Sequence, residues 1–397
     1  MKDTQPASPW VYLDNNATTR VAPRVVDAML PFFREHFANP SSAHALGAAS
    51  REAINAARSH VQSLLGAEFA KEIIFTSGGS ESNNTAILSA LEVQQGRNEI
   101  ITSTVEHSSV LALCNHLERT GRAIIHRIPV DINGQLDRDS YRQALNKSTA
   151  VVSMQWANNE TGVLFPVAEL AKEAHRAGAL FHCDAVQATG KVEVHLQSTM
   201  IDMLSVSAHK LHGPKGVGAL YVRNGVRLSP LVHGGQQERR RRAGTENTTA
   251  IVGFGVAAGL AKKALRHEMP RVAVLRDSLE REILRLVPRS ILVGSRENRL
   301  PNTVNIAFED IESDSLLDLL NRACIAVSSG SACASGSVEP SHVLCAMKVP
   351  FTHLRGAIRF SFSRENSQQD VDRVLDVLPN AVRHLQAAMI PLEAAYA

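Results

Sequence analysis

Residues 179–222 read ALFHCDAVQATGKVEVHLQSTMIDMLSVSAHKLHGPKGVGALYV, and this stretch decides the fold. Three apolar runs of strand length stand in it, at 179–184, 202–207 and 218–222. They are apolar on both faces, the mark of strands in a mainly parallel sheet covered by helices. Asp184 closes the first run, and Lys210 follows the second by three residues. Side chains at the carboxyl ends of such strands are where α/β sheets place their sites.

Working outward, four more runs of the same kind stand upstream, at 73–76, 100–104, 123–128 and 150–155, which predicts seven strands. Helical patterns lie between them. In 51–65, Ile54, Ala57, Val61 and Leu64 recur at three- and four-residue steps and Gly66 follows as a stop. In 167–177, Val167, Leu170, Ala171 and Ala174 form one stripe, ended by Gly178. The alternation predicts a large α/β domain over 13–259. Beyond it come a charged helical stretch (262–287), a strand (303–308), a helix (314–322), a strand (357–362) and a last helix (368–388). We read 260–397 together with 1–12 as a smaller α+β domain that carries a loop at about 328–340.

The chain has 397 residues, 44% hydrophobic and 20% charged, and a net charge of +3, so bulk charge points to neither nucleic acid nor an anionic membrane. Five cysteines, at 114, 183, 324, 333 and 345, form no CxxC pair, which argues against a disulfide framework or structural zinc. We read them as reduced thiols of a cytoplasmic protein. Cys114 and Cys324 fall in helical apolar patterns and are expected in the core. No secretory signal opens the chain, and no apolar run approaches the ~18 residues of a membrane span.

Several local patterns carry chemistry. Ser77-Gly78-Gly79-Ser80-Glu81-Ser82 follows a strand and opens a helical pattern at 84–91, an arrangement that presents backbone N–H groups to a phosphate. Lys210, in Ser207-Ala208-His209-Lys210, can form a Schiff base with an aldehyde cofactor. Asp184 can pair with a protonated pyridine nitrogen, Gln187 can reach a ring hydroxyl, and His107 can stack on the ring and shuttle protons. Cys333 lies in a Gly/Ser-rich stretch, 328–337, that offers no apolar packing, which suits a thiolate that takes an atom and carries it away. Arg359 can grip a carboxylate bidentately. Each pattern has an ordinary alternative. These are a Ser-capped glycine turn, a solvated lysine, an N-capping aspartate, a loop histidine, an accidental exposed cysteine and a surface strand arginine. The four arginines 239–242 read by default as a solvated basic face, or more sharply as a phosphate or subunit contact. Together the patterns describe one cofactor site.

With these residues in view, the sequence resembles the NifS-type cysteine desulfurases, of the class V aminotransferase branch of fold-type I pyridoxal-phosphate enzymes. The likeness rests on TSGGSESNN at 76, VEHSSV at 105, ANNETG at 157, DAVQATGK at 184, SAHKLHGPKG at 207, RRAGTEN at 241 and SSGSACASGSVEPSHVL at 328. It implies that Lys210 holds pyridoxal 5'-phosphate, that His107 stacks on the ring and that Asp184 pairs with the ring nitrogen. It further implies that Gln187 and Asn159 contact the ring side. Gly79, Ser80, Ser207 and His209 would bind the phosphate, joined by Thr245 from the other subunit of a homodimer. Asn39 and Arg359 would hold the substrate carboxylate. Cys333 would take sulfur from L-cysteine as a persulfide, leaving L-alanine. It would pass that sulfur to an iron–sulfur scaffold protein, transiently sharing an iron of the nascent cluster. The nitrogen-fixation members are the nearest likeness, which implies nitrogenase maturation. Three positions depart from the family pattern: Ser80 for a common Thr, Cys183 for a common Thr, and Asn83 for a frequent Asp. Selenocysteine lyase or another class V reaction remains open as an alternative. A metal-binding scaffold fits poorly, because Cys333 has no Cys or His partner at ligand spacing.

Overall fold

The computed structural model describes residues 10–330 and 340–393, with side chains through 387. Cys333 lies outside the described residues. Along the described chain run β1 (Val11–Tyr12), β2 (Ile73–Thr76), β3 (Glu99–Ser103), β4 (Ile124–Ile128), β5 (Thr149–Gln155) and β6 (Leu180–Asp184). They continue with β7 (Met203–Ser207), β8 (Gly218–Val222), β9 (Ser290–Val293), β10 (Thr303–Phe308), β11 (Ile325–Ala326) and β12 (Ala357–Ser361). Seven of them form one sheet in the order β2-β8-β7-β6-β5-β3-β4. All its pairings are parallel except the two made by β8, which runs against both β2 and β7. Every residue of β2, β5, β7 and β8 is buried, which is why these runs are apolar on both faces.

Helices cover both faces of this sheet. Helix Ala45–Leu65 buries Ile54, Ala57, Val61 and Leu64 and stops at Gly66, whose φ of 58° is left-handed. It begins six residues before the predicted start at 51, because the His44 ring accepts the Gly47 N–H and caps it there. The predicted charged stretch 262–287 is not one helix. One helix ends at Leu265 and a second runs Glu268–Leu286. The first of these, Thr248–Leu265, is long and apolar enough by composition to cross a bilayer, which corrects the expectation that no such run exists. It is instead half buried against helix Ala45–Leu65. The approach is close: a Cβ on Gly255 would lie 2.5 Å from Ala57 Cα. This helix also spans the expected boundary at 259, and Ala261 packs in the large core.

A second core gathers around β9, β10 and β12, a three-stranded antiparallel sheet. Val272, Leu275, Leu279 and Ile283 pack on it from helix Glu268–Leu286, with Val371, Val374 and Leu378 from helix Gln368–Glu393. β1 pairs in parallel with β11, so Val11 and Leu13 join this core. Cys114 is buried as expected, but Cys324 is half-exposed and sits past the end of helix Ser313–Arg322 with φ 58°. The turn after β1 joins the two sheets. The Asn16 N–H donates to Ser361 Oγ (2.9 Å), and Asn16 Nδ2 donates to Thr303 Oγ1 (2.9 Å) and to the Asn159 carbonyl (3.1 Å).

Candidate active site

Four strand ends of the large sheet converge on one cleft of about 740 Å³, part of it open to solvent. β2 leads into the glycine turn and helix Gly79–Val93, and β3 leads to His107. β6 ends at Asp184, and β7 ends at Ser207 with Lys210 one short 3-10 turn beyond. Nine of the residues expected in the site line this cleft: Gly79, Ser80, His107, Asn159, Asp184, Gln187, Ser207, His209 and Lys210.

The residues present fit pyridoxal phosphate. Helix Gly79–Val93 begins without a side-chain cap, so its first N–H groups are left for an anion. Gly79 faces Val186 and Ser207 so closely that a Cβ would lie 2.8 Å from Val186 Cγ2. A larger residue would fill the phosphate cradle. Glu81 receives Arg242 Nε (2.9 Å) and Nη2 (3.1 Å), and this pair braces the turn from the arginine run. Arg242 is therefore not part of a solvated face, and Arg241 donates to the Lys71 carbonyl. Burial pushes the His209 imidazole down to about 4, with Lys210, Lys215 and Lys191 adding to the effect. His209 is therefore a neutral donor or acceptor beside the cradle.

On the ring side, Asp184 Oδ1 accepts the Val186 N–H (3.0 Å) and Oδ2 accepts Asn83 Nδ2 (2.7 Å). The carboxylate thus holds the turn that follows it, not the helix N-terminus of the ordinary reading, and still faces the cleft. Lys210 Nζ donates to the Ala17 carbonyl (2.7 Å) and to that of Asn16. Lys191 escaped notice in the sequence. It is buried, burial drives its ammonium pKa well down, and it donates to Gln187 Oε1 (2.7 Å) and Asn16 Oδ1 (3.1 Å). Nothing in a GKVEV segment announces a buried lysine. Gln187 is only four residues away, but it is the fold that buries the pair. Burial, with Asp184 and Glu106 behind it, holds the Cys183 thiol protonated, so this cysteine fills space.

Three expected site residues lie outside the cleft. Arg359 is 1% exposed and is no surface arginine. It donates to Asp14 Oδ1 (2.7 Å) and to the carbonyls of Asn159 (3.0 Å) and Gly330. Asn39 is exposed and accepts the Ser41 N–H (2.9 Å), and Thr245 is exposed in the loop after the arginines. The chain on either side of 331–339 is tied beside the cleft. A Cβ on Gly330 would lie 2.7 Å from Glu160 Oε2. Ser341 Oγ donates to that same oxygen (2.6 Å), and His342 Nε2 donates to the Glu106 carbonyl (3.0 Å).

Comparison with known proteins agrees with this geometry. The model of the aminotransferase class-V family matches residues 11–374. A cysteine desulfurase of Gluconacetobacter diazotrophicus is 61% identical over 376 residues, covering 95% of this chain and 94% of that protein. The cysteine desulfurase NifS of Azotobacter vinelandii is 54% identical, covering 95% and 93%. A solved NifS-like protein superposes with a TM-score of 0.89 at 36% identity, covering 95% of this chain and all of that one. A lysine, an aspartate and a phosphate cradle at strand ends, with likeness along nearly the whole length, place this chain in the pyridoxal-phosphate-dependent class V aminotransferase family, among its NifS-type cysteine desulfurases.

Proposed function

We propose that this protein removes sulfur from L-cysteine, releases L-alanine and holds the sulfur as a persulfide on Cys333. The observation that carries the reading is the convergence of nine expected residues on one cleft, next to the two anchored flanks of the Cys333 segment. Bound pyridoxal phosphate supplies the electron sink that labilises the bonds of the substrate's α- and β-carbons. Gly79, Ser80, Ser207 and His209 hold its phosphate, and Asp184 keeps its ring nitrogen protonated. Gln187 and Asn159 hold the ring side. Lys210 Nζ would hold the cofactor and, once free of it, would move the substrate's α-proton. His107 would lie against the ring and exchange a proton with the substrate thiol. Cys333 Sγ, as thiolate, attacks the substrate sulfur. A new sulfur–sulfur bond forms as the carbon–sulfur bond breaks.

Arg359 and Asn39 hold the substrate carboxylate in this reading. Asn39 and Thr245 act from or across the interface of a homodimer. Support comes from four exposed large apolar residues near Asn39 in the chain, Leu30, Phe33, Phe37 and Leu46, which a second copy would cover. We place the enzyme in the cytoplasm, supported by four unpaired cysteines among the described residues. Its acceptor is an iron–sulfur scaffold protein, with Cys333 as a transient iron ligand during transfer, and its setting is nitrogenase maturation. The test is incubation of the yellow, purified protein with L-cysteine and a thiol reductant, with alanine and sulfide counted together. Equal yields support the reading. A yellow protein that makes no alanine overturns it.

A further inference from the structure

Asn83 has no role in the reaction described above, yet it is 1% exposed and touches Asp184, which does, and Ser109, which bonds to His107. Its Nδ2 donates to Asp184 Oδ2 (2.7 Å) and to Ser109 Oγ (2.9 Å). A carboxylate oxygen at that distance accepts the NH₂ end of the amide and rejects its carbonyl, which sets the amide's orientation. Asn83 Oδ1 is buried without a partner, so the two donations, not the carbonyl, determine how the side chain lies.

Ser109 passes this constraint on. Its hydroxyl accepts from Asn83 and lies 2.8 Å from His107 Nδ1. The Ser109 backbone N–H also donates to His107 Nδ1 (3.1 Å), as the N-cap bond of helix Ser108–Arg119. A backbone N–H cannot reverse its role. Nδ1 is therefore an acceptor twice over, and the ring proton sits on Nε2. The positive end of the helix also opposes a proton on Nδ1. The titratable groups facing the ring are Asp184, Lys210 and His342; burial lowers the imidazole's pKa, Asp184 opposes this, and Lys210 and His342 add to it.

We propose that Asn83 and Ser109 are positioning residues that hold His107 in its Nε2-protonated tautomer, through one amide that also grips Asp184. The arrangement couples the group that holds the cofactor ring nitrogen to the group over the ring face. It leaves Nε2 as the nitrogen available to the cleft. The inference rests on the assignment of His107 to the ring, but its test does not depend on turnover.

The experiment is solid-state ¹⁵N NMR of the holoenzyme labelled at histidine ring nitrogens, with the His107 signals identified by their loss in His107→Gln. Wild type should show the proton on Nε2 at neutral pH. Ser109→Ala removes one donor to Nδ1, so the His107 titration should move up by about half to one pH unit. Ser109→Thr keeps the hydroxyl and should titrate with wild type. In Asn83→Asp the serine hydroxyl turns to the new carboxylate, and the titration should again move up. An Nδ1-protonated ring in wild type overturns the proposal even if no variant folds. So does a Ser109→Ala titration that overlays wild type. Full desulfurase activity in His107→Gln would instead remove His107 from the reaction and leave the tautomer result standing.

Discussion

Replacing Glu106 by glutamine should flatten the pH dependence of stability. Glu106 precedes His107, is fully buried, and has one oxygen bonded by Ser103 Oγ (2.6 Å) while the other has no partner. Burial raises its carboxyl pKa to about 8, and the nearby Asp184 adds to this. Bonds from Ser103 and the Gln155 backbone offset part of the rise. In the folded protein the group is therefore protonated at neutral pH, whereas in the unfolded chain it ionises near its ordinary value of 4.5. Between those values the folded state holds one proton more, so stability is full below the unfolded pKa and falls as pH rises toward 8. The slope reaches about 1.4 kcal/mol per pH unit, and integration from pH ~6 to ~8 gives a loss of roughly 2 kcal/mol. Glutamine keeps an oxygen for Ser103 and cannot ionise. Urea unfolding of both holoproteins across this range, at fixed cofactor concentration, gives the difference directly. Wild type should lose about 2 kcal/mol relative to Glu106→Gln. Parallel curves would refute the reasoning.

Three other outcomes follow from the geometry. Arg58 and Glu238 form a buried bidentate pair at 2.7 and 2.8 Å, and Glu238 also accepts the Phe75 N–H. Arg58→Ala should therefore cost about 3–5 kcal/mol in denaturant unfolding, and a cost below about 1 would show the pair to be dispensable. Gly79→Val should weaken cofactor binding at least about tenfold, read by dialysis and the return of yellow colour, because its side chain meets Val186 and the phosphate cradle. Asp184→Ala should lower alanine formation by roughly 100-fold or more at saturating cofactor, and near-normal turnover would remove it from the ring nitrogen.

Much of this was legible in the chain. β2, β8 and β10 coincide with the predicted strands at 73–76, 218–222 and 303–308, because each is buried on both faces and its composition says so. The nearness of nine expected residues was legible because strand ends carry them to one cleft. What was missed depends on partners distant in sequence. β1 and β11 have two residues each and exist only because Val11 meets Ile325. β9 is half-exposed and shows no alternation to read. The helix break after Leu265 has no glycine stop, and its one signal, Pro270 in the first turn of the next helix, lies inside the stretch predicted as one. Lys191 and Glu106 look like ordinary charged residues until the fold buries them. Asn83 was visible as a departure from the family, but its reason needed Asp184, 101 residues away, and Ser109.

The most direct test of the central claim is a single exposure of the holoenzyme to L-cysteine without reductant, followed by peptide mass mapping and alanine measurement. The account predicts the added mass of one sulfur atom on the peptide bearing Cys333, matched by one alanine per chain, and neither in Cys333→Ala. Sulfur found instead on Cys345 or Cys324, or alanine still formed by Cys333→Ala at the wild-type rate, would contradict it.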